Sequence, residues 1–330
     1  MMHRIAKAKV INGMSMKSSM SKPAISIKGL TKNYGEFEAL KGIDLEIEQG
    51  EFFGLLGPNG AGKTTMIKIL TGLADKTSGE VKVMGYDVVG DYRDARAQIG
   101  LMPQEFNFDA FLKLKYLPVF NAGFFGIPKD EAERRAEKLF KELELIEKRE
   151  SQIRALSGGQ KRRAMIVRAL VHGPKIIILD EPTAGVDVEI RHSMWKFIKK
   201  LNEEGVTVLL TTHYIEEAQE LCDRVAIINH GKIIACDRTS ALMGLLEDEA
   251  LLLHFDKRQS AVPEVLQKYN ARLENKGMAM HIAINTAKHS YKDVIDDIAK
   301  ARLPIVSMTS MENKLEEVFL KLTKRGGEHE

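Results

Sequence analysis

The run Gly57-Pro58-Asn59-Gly60-Ala61-Gly62-Lys63-Thr64-Thr65 constrains this chain more than any other stretch. Its glycines let the backbone turn through conformations that a side chain would forbid, so successive N–H groups can point inward at anionic oxygens. Lys63 adds a mobile positive charge. Thr64 offers a hydroxyl to a Mg²⁺ ion bridging the outer oxygens of a phosphate chain. Thr65 to Leu70 reads as a helix whose positive dipole end faces the same phosphates. Ahead of the loop, Glu51 to Leu56 reads as a buried strand. A glycine-rich turn with a chance Gly-Lys-Thr is the alternative, and the order strand, glycine loop, helix argues against it.

A chain of 330 residues, 44% hydrophobic and 29% charged, has the composition of a soluble globular protein of roughly two domains. Net charge is only +3, with Lys+Arg 49 against Asp+Glu 46, so no nucleic-acid footprint is expected. Cys222 and Cys236 lack a Cys-x-x-Cys spacing, which favours reduced thiols in the cytoplasm over a disulfide framework or a zinc site. No apolar run reaches the length of about 18 residues that spans a bilayer. If the protein serves a membrane, another chain must cross it. Residues Met1 to Lys22 have little periodicity and no apolar core of the kind a signal peptide needs. They are expected to be a disordered extension preceding a start at Met16 or Met20, with a basic arm on anionic lipid as the alternative.

From Ala24 the pattern alternates, with Ile25 and Ile27, then Ile43, Leu45 and Ile47, marking two strands of a small antiparallel sheet. Tyr34 lies in the polar turn between them, where its ring could stack on a purine; local packing in the turn is the alternative. Glu80 to Val88 and Ile99 to Met102 read as strands, and Gln104 sits where the second hands over to a loop. A segment rich in aromatics follows, with Phe106, Phe108, Phe111, Tyr116, Phe120, Phe124 and Phe125. Most are expected in the core, while the excess can mark a partner-binding surface. Lys129 to Lys148 reads as a charged amphipathic helix, so about 106–171 forms a helical insertion. Ser157 is placed to cap a helix over Lys161 to Val171, a second potential anion site. Lys175 to Glu181 is a continuous apolar strand ending in two carboxylates, as a central parallel strand does. Such carboxylates point into a ligand crevice. Asp180 can hold Mg²⁺ through water and Glu181 can accept the proton of an attacking water, against the alternative of a structural acidic pair. Val188 to Glu204 reads as a helix with Trp195 in the core, and Val206 to Thr211 as a buried strand. His213 follows that strand, where an imidazole could reach a terminal phosphate.

Together, Tyr34, the Gly57 to Thr65 loop, Gln104, Leu156-Ser157-Gly158-Gly159-Gln160, Ile176 to Glu181, Ala184 to Asp187 and His213 resemble the ATP-binding subunit of an ABC transporter. The resemblance covers about Ala24 to Leu245 and implies an α/β fold: a P-loop NTPase cassette with a RecA-like core, an antiparallel β-subdomain and the helical insertion. It implies ATP and Mg²⁺ as ligands, Tyr34 stacking on adenine, and Gln104 reaching Mg²⁺ and the attacking water. It further implies that Ser157, Gly158, Gly159 and Gln160 bind the γ-phosphate held by the other subunit of a head-to-tail homodimer. Ala184-Gly185-Val186-Asp187 stands where the family usually has Ser-Ala-Leu-Asp, and the resemblance implies a cross-subunit role for Asp187. The remainder, 246–330, reads as a small C-terminal α+β module: strands over Ala250 to Phe255, Met278 to Ile284 and Ile305 to Thr309, helices over Val262 to Tyr269, Tyr291 to Ala301 and Leu315 to Leu322. Its last helix resembles the ending of bacterial ABC-2-type exporters of the drug-resistance class. That implies an export ATPase at the cytoplasmic face of the inner membrane, serving a separately encoded integral membrane permease. An importer ATPase with a regulatory C-terminal module, and a non-transport ABC ATPase, are the alternatives.

Overall fold

The computed structural model describes residues 22–106, 108–243, 248–285, 290–311 and 319. The expected disorder of Met1 to Lys22 and the expected helix Leu315 to Leu322 lie outside the described residues, but for Lys22 and Phe319. The chain divides into two compact units, Met1–Asp237 and Arg238–Glu330.

In the first unit the elements run β1 (Ile25–Tyr34), β2 (Phe37–Ile47), β3 (Phe52–Leu56), α1 (Lys63–Leu70), β4 (Ser78–Val83), β5 (Tyr86–Asp87), α2 (Tyr92–Ala97), β6 (Ile99–Met102), α3 (Tyr116–Phe124), α4 (Lys129–Glu142), α5 (Gly158–Leu170), β7 (Ile176–Asp180), α6 (Val188–Glu203), β8 (Thr207–Thr212), α7 (Ile215–Leu221), β9 (Arg224–Asn229) and β10 (Lys232–Arg238). One sheet has the order β2-β1-β4-β5, with β1 antiparallel to both neighbours. The other has the order β10-β9-β3-β8-β7-β6, and β6, β7, β8, β3 and β9 are mutually parallel. Every residue of β3, β7 and β8 is buried, which is why these strands read as unbroken apolar or small runs rather than as alternation. A single core joins the two sheets: Ile25, Ile27 and Val81 of the antiparallel sheet meet Phe53, Leu55, Ile178 and Leu209 of the parallel one around Met66 and Ile69 of α1.

The parallel register decides where the chemistry can sit. Leu56 pairs with Thr212, Asp180 with Thr211 and Met102 with Leu179, so β6, β7, β8 and β3 all end at one edge of the sheet. The residues immediately beyond those ends are the glycine loop, Gln104, Glu181 and His213. This is the crevice outside the carboxyl ends of a parallel sheet, where open α/β folds bind ligands.

Several expected elements differ in extent. The strand over Glu80 to Val88 breaks into β4 and β5, because Met84 and Gly85 take φ of 50° and 86° and turn the chain so that Val83 pairs with Tyr86. The charged helix stops at Glu142, not Lys148, with Glu144 at φ 55° and a short 3-10 turn over Ile146–Lys148 after it. The larger correction concerns the aromatics. Phe111 is 65% exposed, Phe120 58% and Phe124 88%, and Phe106, Tyr116 and Phe125 are also exposed, so they do not form the core of the insertion. That core is made by Leu114, Ala132, Ala136, Phe140, Ile153 and their neighbours.

In the second unit β11 (Asp248–Phe255), α8 (Glu264–Gln267), β12 (Arg272–Glu274), β13 (Ala279–Asn285), α9 (Tyr291–Lys300) and β14 (Ile305–Met311) follow. The sheet order is β12-β13-β11-β14, all antiparallel. Met280, Ile282 and Ile284 alternate inward along β13 and pack with Leu251, Leu253, Leu266, Val294 and Ile298. The helix expected over Val262 to Tyr269 shrinks to α8 behind Pro263, and β12 adds a strand that the sequence pattern does not show. Asp297 of α9 is buried and accepts from the Tyr269 hydroxyl at 2.8 Å, Lys268 Nζ at 2.6 Å and Lys300 Nζ at 2.7 Å. The Lys268, Lys300 and Tyr269 hydrogen bonds hold its carboxyl well below the usual carboxylate range. A carboxylate whose folded pKa is depressed contributes stability above its unfolded value of about 3.9 and loses it as pH falls through the folded value. Asp297→Asn is therefore expected to lower the thermal midpoint at pH 7 and to matter progressively less below about pH 4. Calorimetry of parent and variant at pH 7 and pH 3 checks this, and an equal gap at both would contradict it.

Candidate functional site

Between β3 and α1 the glycine loop is fixed by close packing as well as by backbone freedom. A Cβ on Gly57 would lie 2.4 Å from the Ile228 carbonyl oxygen, and Gly62, which leads into α1, takes φ 112° against the side chain of Leu40. Helix α1 starts at Lys63, so Thr64 and Thr65 lie in its first turn rather than at its edge. Lys63 is 6% exposed, and its Nζ donates to the carbonyls of Gly57 at 2.7 Å and Pro58 at 3.1 Å. Burial pushes its pKa down, opposed by the carboxylates of Glu181 and Asp180. Asn59 and Gly60 are exposed at the rim, and Ala61 is buried beneath.

Asp180 ends β7 and is buried, accepting from the Thr211 hydroxyl of the neighbouring strand and from Thr64. Burial raises its pKa, partly offset by these donors and by Lys63. Glu181 sits in the left-handed region at φ 50°, a sparsely populated conformation for a side chain this large, which the adjacent strand holds through the Glu181 N–H to the Thr211 carbonyl at 3.0 Å. Its carboxylate is 6% exposed and gripped on both oxygens: Gln104 Nε2 donates to Oε2 at 3.0 Å, and His213 Nδ1 lies 3.0 Å from Oε1. A residue not anticipated from sequence completes this corner. Arg162, on α5 and 7% exposed, donates through Nη1 to the Gln104 carbonyl at 2.8 Å and through Nη2 to the Ala184 carbonyl at 3.3 Å. Its only sequence signal is a basic residue on a helix face shared with Ile166 and Ala169.

The structure thus brings Lys63, Thr64, Gln104, Asp180, Glu181 and His213 together. Others stand apart. Ser157 caps α5 in a reciprocal box, its Oγ accepting from Gln160 N at 3.3 Å while Gln160 Oε1 accepts from Ser157 N at 3.0 Å. Gly158 is exposed, whereas Gly159 packs so closely on Ile190 that a Cβ would come within 2.5 Å. Asp187 caps α6, accepting from Ile190 N at 2.9 Å, which gives it a task inside its own chain. Tyr34 is 48% exposed at the end of β1, opposite Phe37 at 65%, with Lys32 Nζ 4.7 Å over its ring.

Hydroxyl, carboxylate and amide oxygens are the donors a hard cation takes, and Mg²⁺ is characteristically held by one or two carboxylates with phosphate oxygens and water rather than by a protein cage. The hydrogen-bonded pair of Thr64 and Asp180 beside Lys63 fits that requirement. Among the described residues no cluster of three or more His, Cys, Asp or Glu could hold a metal by itself.

A glycine loop between a buried parallel strand and a helix, with a lysine, a hydroxyl and a strand-end carboxylate converging on it, defines a P-loop NTPase. The ABC transporter family description matches residues 40–184. The linearmycin resistance ATP-binding protein LnrL of Bacillus subtilis is 33% identical over 91% of this chain and 98% of its own length. The Nod factor export ATP-binding protein I of Paraburkholderia xenovorans is 35% identical over 93% and 99%. Among solved structures, the ATP-binding subunit of an ABC transporter superposes with a TM-score of 0.63 at 28% identity, covering 67% of this chain and 92% of that one. A bacterial ABC transporter cassette solved as a dimer gives 0.61 at 32% identity over 65% and 98%. The chain belongs to the ABC transporter family, as one of its ATP-binding, ATP-hydrolysing subunits. No helix among the described residues is long and apolar enough to cross a membrane.

Proposed function

We propose that this chain is the ATPase subunit of an ABC-2-type exporter, working as a head-to-tail homodimer on a separate integral membrane permease at the cytoplasmic face of the inner membrane. The observation that carries the hydrolytic part is the Glu181 carboxylate held between Gln104 and His213 beyond the end of β7. Export is favoured over import because relatives matching nearly the whole chain, C-terminal unit included, bear the names of a resistance and an export protein. Lys63 and the loop N–H groups bind the β- and γ-phosphates of ATP, and Tyr34 stacks on the adenine. Thr64 and Asp180, with Gln104 within reach, would hold a Mg²⁺ ion, which would supply charge neutralisation at the outer phosphates. Glu181 takes a proton from the attacking water as its oxygen bonds to the γ-phosphorus and the bond from that phosphorus to the β,γ-bridging oxygen breaks, releasing ADP and phosphate, while Gln104 and His213 hold the carboxylate's orientation.

One chain offers this ATP only half of its donors. Ser157 and the first N–H groups of α5 form a second phosphate-seeking terminus that hydrogen-bonds neither Lys63 nor Glu181. A two-fold pair in which each loop faces the partner's α5 supplies the missing half. Ser157, Gly158, Gly159, Gln160 and Asp187 would then close over the partner's ATP.

Coupling to the permease runs through the aromatic loop after Gln104. Phe106 lies under the Arg162 guanidinium at 4.8 Å, and Phe108 lies 5.8 Å from Phe106 between ring centroids, so a partner pressing on this loop presses on the Gln104 backbone. Phe108→Ala is expected to abolish ATP-driven export in membranes that contain the permease while leaving basal hydrolysis within about two-fold. If both activities fall equally, or neither falls, the docking role is wrong.

A further inference from the structure

Glu217 is the most deeply buried carboxylate among the described residues, 1% exposed, and it lies outside the set of Lys63, Thr64, Gln104, Asp180, Glu181 and His213. Its partners come from three separate elements. Oε1 accepts from the Thr183 hydroxyl and from Trp195 Nε1 at 3.0 Å; Oε2 accepts from the Thr212 hydroxyl at 2.6 Å. All three are neutral donors. Burying a carboxylate is costly unless it is well hydrogen-bonded, and an apolar side chain would fill the same space without that cost.

The placement of those donors explains the carboxylate. Thr183 is fully buried two residues after Glu181, in the turn closed by Ala184 N to the Glu181 carbonyl at 3.3 Å. Thr212 is fully buried one residue before His213, and its Oγ also accepts from Tyr214 N at 2.9 Å, so a single hydroxyl spans the His213 backbone. Glu217 therefore grips both the turn that carries Glu181 and the turn that carries His213. We propose that Glu217 is a positioning residue for hydrolysis, fixing the separation of Glu181 and His213 by holding Thr183 and Thr212 on its two oxygens, with Trp195 locking its orientation. The proposal rests on the assignment of Glu181 and His213 to hydrolysis.

Glu217→Gln discriminates the two sides. The indole N–H of Trp195 can only donate, so the single amide oxygen of Gln must face Trp195 and Thr183, turning the NH₂ toward Thr212. The Thr212 hydroxyl then receives from that NH₂ where it had donated to a carboxylate, and the acceptor left for its own proton is the Tyr214 carbonyl at 3.5 Å. The turn at His213 should loosen while the Thr183 side persists. Thr183→Val should do the reverse.

The expected result for Glu217→Gln is a kcat for ATP about 10-fold or more below the parent with KM within about three-fold, because binding groups are untouched and only catalytic geometry is lost. By hydrogen exchange the Tyr214 amide should exchange faster in Glu217→Gln, and the Ala184 and Val186 amides faster in Thr183→Val. The chain has a single tryptophan, so Trp195 emission reports the cluster directly and should be unchanged in Glu217→Gln. Should Glu217→Gln fold poorly, Thr212→Val deletes the Thr212–Glu217 bond outright, together with the acceptor of the Tyr214 amide, and carries the same expectation. A kcat within about two-fold of the parent in a folded variant overturns the proposal. So does unchanged Tyr214 exchange, or a common loss of kcat, ATP affinity and thermal midpoint, which is the mark of a merely structural carboxylate. If the parent itself does not hydrolyse ATP, the assignment of Glu181 fails, and the exchange pattern still judges the clamp.

Discussion

Glu181→Gln is expected to lower kcat for ATP by about 10² to 10⁴ while nucleotide binding survives. The substitution keeps the length and shape of the side chain, and the amide oxygen can still accept from Gln104 Nε2, the bond seen at 3.0 Å. What disappears is the proton acceptor. The backbone at φ 50° is unaffected by the exchange, so the turn beyond β7 and its hydrogen bond to Thr211 should remain. A phosphate-release assay under saturating Mg-ATP checks the rate, and a fluorescent nucleotide titration checks the binding. Hydrolysis at the parent rate would remove Glu181 as the base.

Lys63→Met is expected to weaken ATP binding by about 10-fold or more and to lower hydrolysis by at least about 10², since a charge-assisted contact to phosphate has no substitute in the loop. Methionine matches the length of the lysine stem, so packing around a residue that is 6% exposed is preserved. The carbonyls of Gly57 and Pro58 lose their donor, and the carboxylates of Asp180 and Glu181 lose the cation that opposes their mutual repulsion. The same titration and phosphate-release assays read both effects. Near-parent affinity would mean that the loop N–H groups alone hold the phosphates.

Much of this site is legible in the amino-acid sequence, because its parts are tied to backbone patterns that few other folds need. The glycines of the loop, the unbroken apolar run Ile176 to Leu179 closed by Asp180, and the strand before His213 each announce a parallel strand end, and the register then aligns those ends without further information. Gln104 is legible for the same reason. Arg162 and Glu217 are not: both are charged residues on helices, where solvent exposure is the default, and only tertiary packing turns them inward. The exposure of Phe111, Phe120 and Phe124 is hidden likewise, since a sequence shows how many large apolar side chains an insertion has and not how much surface it can cover. Strand β12 spans only Arg272–Glu274, too short to carry an alternation. The break between β4 and β5 depends on Met84, a non-glycine residue at positive φ, which composition does not suggest.

We propose that ATP is bound between two copies of this chain, each lending the Ser157 terminus to the other's loop. Size exclusion of Glu181→Gln at millimolar Mg-ATP tests it most directly, because blocked hydrolysis leaves the closed pair to accumulate. A shared site predicts a monomer without nucleotide, a dimer with Mg-ATP, and a monomer under both conditions when Ser157→Arg is added to Glu181→Gln. A Glu181→Gln protein that binds ATP yet never dimerises, or a dimer that Ser157→Arg leaves intact, would contradict it.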